Sequence, residues 1–166
     1  MSNRKIIFSR FILAGLLYAF HVQDLMANPT TVAACKNPAG WGYYHSGRLV
    51  PPSKAGWVKD EINPGSHRLI KLPDGTFDIE VVDANQTPFT VRGDGGELLL
   101  MRAGPDDATF LHFVRGKVIE LYTFWRGSDG KLRFDLLQSK GGGISPIHKS
   151  SVMVGECSSI RFDLLQ

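Results

Sequence analysis

Outside the first 27 residues the chain carries four histidines, His45, His67, His112 and His148. These are the side chains best suited to moving a proton or holding a metal near neutral pH. None has another histidine, a cysteine or a carboxylate at a ligand spacing such as i, i+2, and there is no CxxC pair, so no metal site is expected. His112 alternates with Phe110 and Val114 and stands between Leu111 and Phe113, the setting of a hydrogen-bonded core histidine. A serine nucleophile would need a GxSxG turn, and neither Ser46-Gly47 nor Ser145-Pro146 supplies one. The carboxylates Asp78, Glu80, Glu120 and Asp135 are spread over three predicted strands, so an acid/base pair would have to be assembled by the fold. Gly141-Gly142-Gly143 precedes no helix start and is no phosphate cradle. No catalytic residue and no cofactor is expected.

The aromatic residues point to binding instead. Trp41, Tyr43, Tyr44 and Trp57 fall in a stretch, Lys36–Ser66, with no sustained periodicity and with turn signals at Asn37-Pro38-Ala39-Gly40, Pro51-Pro52-Ser53 and Asn63-Pro64-Gly65. Aromatic side chains with polar tips suit a site that is apolar at one end and wet at the other, and they equally suit a cover over the end of a β core. With Tyr122 and Trp125 from a strand that is apolar on both faces, they form the candidate ligand-binding set.

The elements that must position them are strands. Thr109–Val114, Lys117–Trp125 and Lys131–Gln138 follow one another across Arg115-Gly116 and Gly127-Ser128-Asp129-Gly130, residues that accept positive φ at no steric cost. In the third of these Leu132, Phe134 and Leu136 alternate with Arg133 and Asp135; in the second both faces read as covered. Upstream, His67–Leu72, Thr76–Val82, Thr87–Arg92 and Glu97–Arg102 are predicted strands, and Ser150–Glu156 follows downstream, with Trp57-Val58-Lys59 opening a short first strand. About eight strands linked by short turns predict an all-β fold, a single antiparallel meander forming a small eight-stranded barrel or a sandwich. Arg92-Gly93-Asp94 has the form of an adhesion tripeptide, but the turn chemistry of a hairpin explains it unaided. Asn85-Gln86-Thr87 fits a glycosylation sequon, of consequence only in a eukaryotic secretory pathway. Arg133–Gln138 recurs letter for letter as Arg161–Gln166, which predicts a ninth strand or a docked tail.

The first 27 residues have the form of a secretory signal. Arg4, Lys5 and Arg10 precede the apolar run Phe11–Phe20, and Leu25-Met26-Ala27 offers a small-residue cleavage site. The run is too short for a membrane span, which needs about 20 apolar residues. The full chain has 19 Lys+Arg and 16 Asp+Glu; without the three bases and one acid of the signal, 16 face 15. A nearly neutral body gives no electrostatic footprint for nucleic acid. Cys35 and Cys157, an even pair in an exported chain, are expected to form a disulfide across nearly the whole domain. Acylation of Cys35 as a lipoprotein is the weaker alternative, because it lies 15 residues beyond Phe20 and would strand Cys157.

The expected organisation is a signal peptide at 1–27, an irregular N-terminal arm with the aromatic cluster at 28–66, and an antiparallel β domain at 67–166, secreted or periplasmic and without a transmembrane span once the signal is cut. Such a shape is shared with small exported barrels that hold an apolar ligand or lipid and with others that inhibit an exported enzyme, and the fold alone assigns neither role. A barrel filled by Phe77, Phe89, Phe113 and Phe134 would leave no room for an internal ligand. Intact mass spectrometry of protein recovered from a secreting host checks the processing: a mass matching Asn28–Gln166 less two hydrogens is expected, whereas a lipidated chain starting at Cys35 contradicts it.

Overall fold

The computed structural model describes residues 28–83, 86–143 and 145–166, so the expected signal segment, its expected cleavage site and Asn85 of the sequon lie outside the described residues. The described residues form ten strands: β1 (Thr30–Tyr44), β2 (Gly56–Glu61), β3 (Ser66–Lys71), β4 (Phe77–Val82), β5 (Pro88–Thr90), β6 (Glu97–Ala103), β7 (Asp107–Val114), β8 (Val118–Arg126), β9 (Leu132–Lys140) and β10 (Lys149–Ile160). They form one antiparallel sheet in the order β5-β4-β3-β1-β10-β9-β8-β7-β6, with β2 also on β1, and the sheet is curled into a half-barrel. The all-β antiparallel expectation holds. The described residues contain no helix long and apolar enough to cross a membrane.

The irregular arm at 28–66 is corrected. Thr30–Tyr44 is a fifteen-residue strand at the centre of the sheet, and Gly56–Glu61 pairs with its second half. Asn37-Pro38, which reads as a turn, is instead a bulge within β1: Asn37 has φ 49° and Pro38 is buried. A bulge is where a strand can give up one partner and take another. On one edge β1 pairs with β3 up to Lys36 and with β2 from Ala39 onward, while the opposite edge runs along β10 from Ala33 to Tyr44. Proline fits there because the ladder is already interrupted.

The core lies on the concave face. Phe110, Phe124 and Phe134 from β7, β8 and β9 are fully buried, and Leu69, Ile79, Leu136 and Met153 pack around them. Phe77 packs edge-on against Phe110 from across the half-barrel. Phe134 lies so close over Gly155 of β10 that a Cβ there would overlap its ring. Of the phenylalanines expected to fill the interior, Phe113 instead faces outward beside Ile119 and Phe89 is half-exposed. The interior is nonetheless occupied by aromatic and aliphatic side chains.

The repeated hexapeptide takes two conformations. Arg133–Gln138 lies within β9, whereas Arg161–Gln166 ends in a 3-10 turn at Phe162–Leu164 that docks Phe162 and Leu165 into the core. The tail is held by the Arg161 N–H donating to the Val32 carbonyl and by Lys71 Nζ donating to the Leu164 carbonyl.

Cys35 and Cys157 are directly opposed on β1 and β10 and are joined as a disulfide closing a separation of 122 residues. A disulfide fits an extracellular or periplasmic setting. By chain entropy a loop of this length is worth roughly 4–5 kcal/mol. Urea unfolding of a Cys35→Ser/Cys157→Ser variant is expected to give a midpoint lowered by a loss of about 2–5 kcal/mol. An unchanged midpoint contradicts a stabilising role for the bond.

Candidate functional site

The curled sheet has two faces, and each gathers residues that could act. On the concave face a polar row crosses four strands in direct register: His112 (β7), Glu120 (β8), Gln138 (β9) and Ser151 (β10). Glu120 is its hub. One carboxylate oxygen accepts from His112 Nδ1 at 2.7 Å and from the Tyr122 hydroxyl at 2.7 Å, while the other accepts from Gln138 Nε2. Burial alone would raise the Glu120 carboxyl; the hydrogen bonds from His112, Gln138 and Tyr122 outweigh it and hold its pKa below the ordinary value. Burial, and then the Glu120 charge, push the Tyr122 hydroxyl well above its usual range. His67 of β3 reaches the same region from across the core, its ring 5.9 Å from that of Tyr122 and 5.1 Å from that of Phe134. Burial lowers its pKa to about 4 despite the opposing pull of Glu120.

A histidine on a carboxylate is the arrangement of a general base, but this one is sealed. His112 Nε2, the atom a substrate would have to meet, is buried without a protein partner and lies under Gly96, where a Cβ would overlap it. His67 Nδ1, Gln138 Oε1 and Ser151 Oγ are likewise buried without a protein partner. Among the described residues no three His, Cys, Asp or Glu side chains come together to hold a metal ion. The row is a buried network with Glu120 kept charged, not a cleft.

The convex face is apolar where solvent would be expected. A row of outward side chains runs across six strands in register, Leu99, Leu111, Leu121, Leu137, Val152 and Trp41. Beside it runs a second row, Phe113, Ile119, Ser139, Ser150, Tyr43 and Trp57. In that second row two serines stand between Ile119 and Trp57, so the surface dips into a trough with the bulky side chains as walls. Leu121, Leu137 and Val152 line it, and its volume is about 300 Å³. Through Ile119 and Ser139 it adjoins a second cleft of about 520 Å³, lined by Leu111 and Phe113 and closed by the Arg115-Gly116-Lys117 turn and Gly141-Gly142. Trp57 is 66% exposed and Ile119 57%. The expectation that both faces of β8 are covered is therefore corrected: the inner face is covered and the outer is not.

The next outward row ends the belt on β6 to β9 with Arg102, Thr109, Thr123 and Asp135, and carries a large apolar side chain only at Val154 of β10. Two apolar rows span about 7 Å along the strands, far short of the band of about 25 Å that a membrane-spanning barrel presents.

No protein-family model, curated protein or solved structure matches the chain. The site must be read from its own geometry.

Of the aromatic residues picked from the sequence, Trp41, Tyr43 and Trp57 come together on the outer face, Tyr43 packing edge-on against Trp57 at 5.4 Å. Tyr44 points to the opposite face beneath Lys149, whose ammonium is 5.4 Å from its ring and is paired with Asp60. Tyr122 is inside, on Glu120. Trp125 is outward but beyond the belt, where its Nε1 donates to Asp135 and Arg133 stacks on its ring. Ile119, Leu121, Leu137, Ser139 and Val152 carry no signal as site residues in the sequence, although the alternation in β8, β9 and β10 puts them on one face. Asp94 of the Arg-Gly-Asp turn is ion-paired with Lys117, which ties it to the neighbouring turn between β7 and β8.

The buried cluster makes stability depend on pH. Unfolded, His67 titrates at its ordinary 6.5; folded, at about 4. Between those values the unfolded chain binds a proton that the folded chain does not, so stability is full above the window and falls as pH drops through it, by about 3 kcal/mol. Glu120, held low in the fold, adds a further loss as pH falls below its ordinary value toward its folded one. Urea midpoints measured from pH 7 to 4 are expected to fall in the wild type and to flatten in His67→Phe. Equal slopes in the two proteins contradict the assignment to His67.

Proposed function

We propose that this protein is an exported, non-enzymatic binding module that takes a small apolar ligand or a lipid acyl chain on the outer face of its sheet. The observation that carries the reading is the trough over Ser139 and Ser150, walled by Ile119 and Trp57 and lined by Leu121, Leu137 and Val152. Its volume and that of the adjoining cleft fall within the range of small-molecule sites, about 300–1,000 Å³. The filled interior argues against a ligand inside the half-barrel. Four interstrand steps separate Ile119 from Trp57, about 19 Å, enough for an extended acyl chain. Burial is worth about 0.8 kcal/mol per methylene, and micromolar affinity needs about 8 kcal/mol, so about ten methylenes must leave water. Laurate meets that requirement.

A protein partner is the second reading, favoured by Trp41, which is 52% exposed and extends the apolar surface beyond the residues that line the trough. Calorimetric titration separates the two. Laurate is expected to bind the wild type at micromolar concentration, Trp57→Ala to weaken it about tenfold, and Tyr122→Phe, inside the core, to leave it unchanged. Failure of laurate and of dodecanol alike overturns the ligand reading and leaves the face to a protein.

A further inference from the structure

Among the described residues the edge strands of the sheet are β5, β2 and β6, and they are not equally guarded. Natural sheets protect edges with shortness, proline or charge. β5 is three residues long and begins at Pro88. β2 carries Lys59, Asp60 and Glu61. β6 has neither protection: it runs seven residues, Glu-Leu-Leu-Leu-Met-Arg-Ala, with charge only at Glu97 and Arg102. Among the described residues its ladder hydrogen bonds run to β7 alone, and its other edge comes close to β4 without pairing with it. Leu99 is 45% exposed, Leu100 39% and Met101 58%, a row of large apolar groups beside unpaired backbone.

We propose that β6 pairs with β6 of a second copy of this chain, antiparallel about a twofold axis at Leu99. The strand is self-complementary in that register. Between Leu100 and Arg102 it carries a bulge, with Leu100 opposite Phe110 and Arg102 opposite Thr109, so Met101 adds no ladder step. Counted in ladder steps, Glu97 and Arg102 are therefore each two from Leu99, on opposite sides, and all three face outward. An antiparallel pair centred on Leu99 sets Glu97 of each copy against Arg102 of the other, with Leu98 opposite Leu100. Opposite charges directly across an antiparallel pair stabilise it and like charges oppose it. Arg102 is free to exchange partners, because its ion pair with Asp107 is exposed and such pairs are weak. The arrangement is isologous, as a closed dimer requires. It also joins the leucine row of one copy to that of the other through Leu99, and leaves the trough at Trp57 clear on the far side of the sheet.

Sedimentation of the mature, disulfide-bonded chain over a range of concentrations tests the pairing. A monomer–dimer equilibrium is expected. Glu97→Arg alone and Arg102→Glu alone should each lose dimer affinity about tenfold or more, while an equal mixture of the two should dimerise again, since each then faces its opposite charge. Leu99→Lys, which sets two lysines against each other at the axis, should be monomeric, with its circular dichroism and thermal midpoint confirming that it is folded. A wild type that stays monomeric, or a dimer indifferent to the charge changes, overturns the proposal. A dimer that survives Leu99→Lys but is lost in Ile119→Lys overturns it too, and moves the contact to the outer face.

Discussion

Everything in this fold depends on β1 lying beside β10. The first described strand and the last run antiparallel along most of their length, and the disulfide locks them at Cys35 and Cys157. That contact joins two local meanders, β3 to β5 on one side and β6 to β10 on the other, into a single sheet. It is also the costliest contact to form, because it closes a loop of almost the whole domain. The bulge at Asn37-Pro38 lets the same strand serve both β3 and β2, and β2 is what carries Trp57 to the wall of the trough. The outer site therefore exists only because the chain's ends meet.

The two faces divide the work of the molecule. The concave face is filled by Phe110, Phe124 and Phe134 and stiffened by a charged Glu120 that three donors satisfy. A buried carboxylate of that kind is costly to strip of any one partner, which fixes the relative register of β7, β8 and β9. The convex face inherits that register. Its belt is continuous because the strands that align His112, Glu120 and Gln138 on the inside also align Leu111, Leu121 and Leu137 on the outside.

Much of this is legible in the sequence, and the limits have physical causes. Period-two alternation and glycine turns gave the strands from β3 onward and the meander of β7 to β9. The even cysteine pair gave the bond between the chain's ends. The region before residue 67 reads as irregular because Asn37-Pro38 and Pro51-Pro52 are turn residues wherever they fall, and only long-range pairing turns the first of them into a bulge. The hexapeptide Arg-Phe-Asp-Leu-Leu-Gln makes the same point: in β9 it has neighbours on both edges and is a strand, and at the end of the chain it folds into a 3-10 turn. Among the site residues, Trp41, Tyr43 and Trp57 could be picked by type. That Tyr44 faces the other way and Tyr122 is sealed follows from parity and register, which a sequence without its pairings does not define. The serines that make the trough carry no signal of their own; they matter only because Ile119 and Trp57 flank them four strands apart.

The central claim is that the ligand surface is the outside of the sheet and not its interior, and methyl-resolved NMR tests it most directly. With isoleucine, leucine and valine methyls labelled, titration with laurate should shift Ile119, Leu121, Leu137 and Val152, while Leu69, Ile79 and Leu136 in the core stay in place. Shifts concentrated on the core methyls would put the ligand inside the half-barrel and contradict the account.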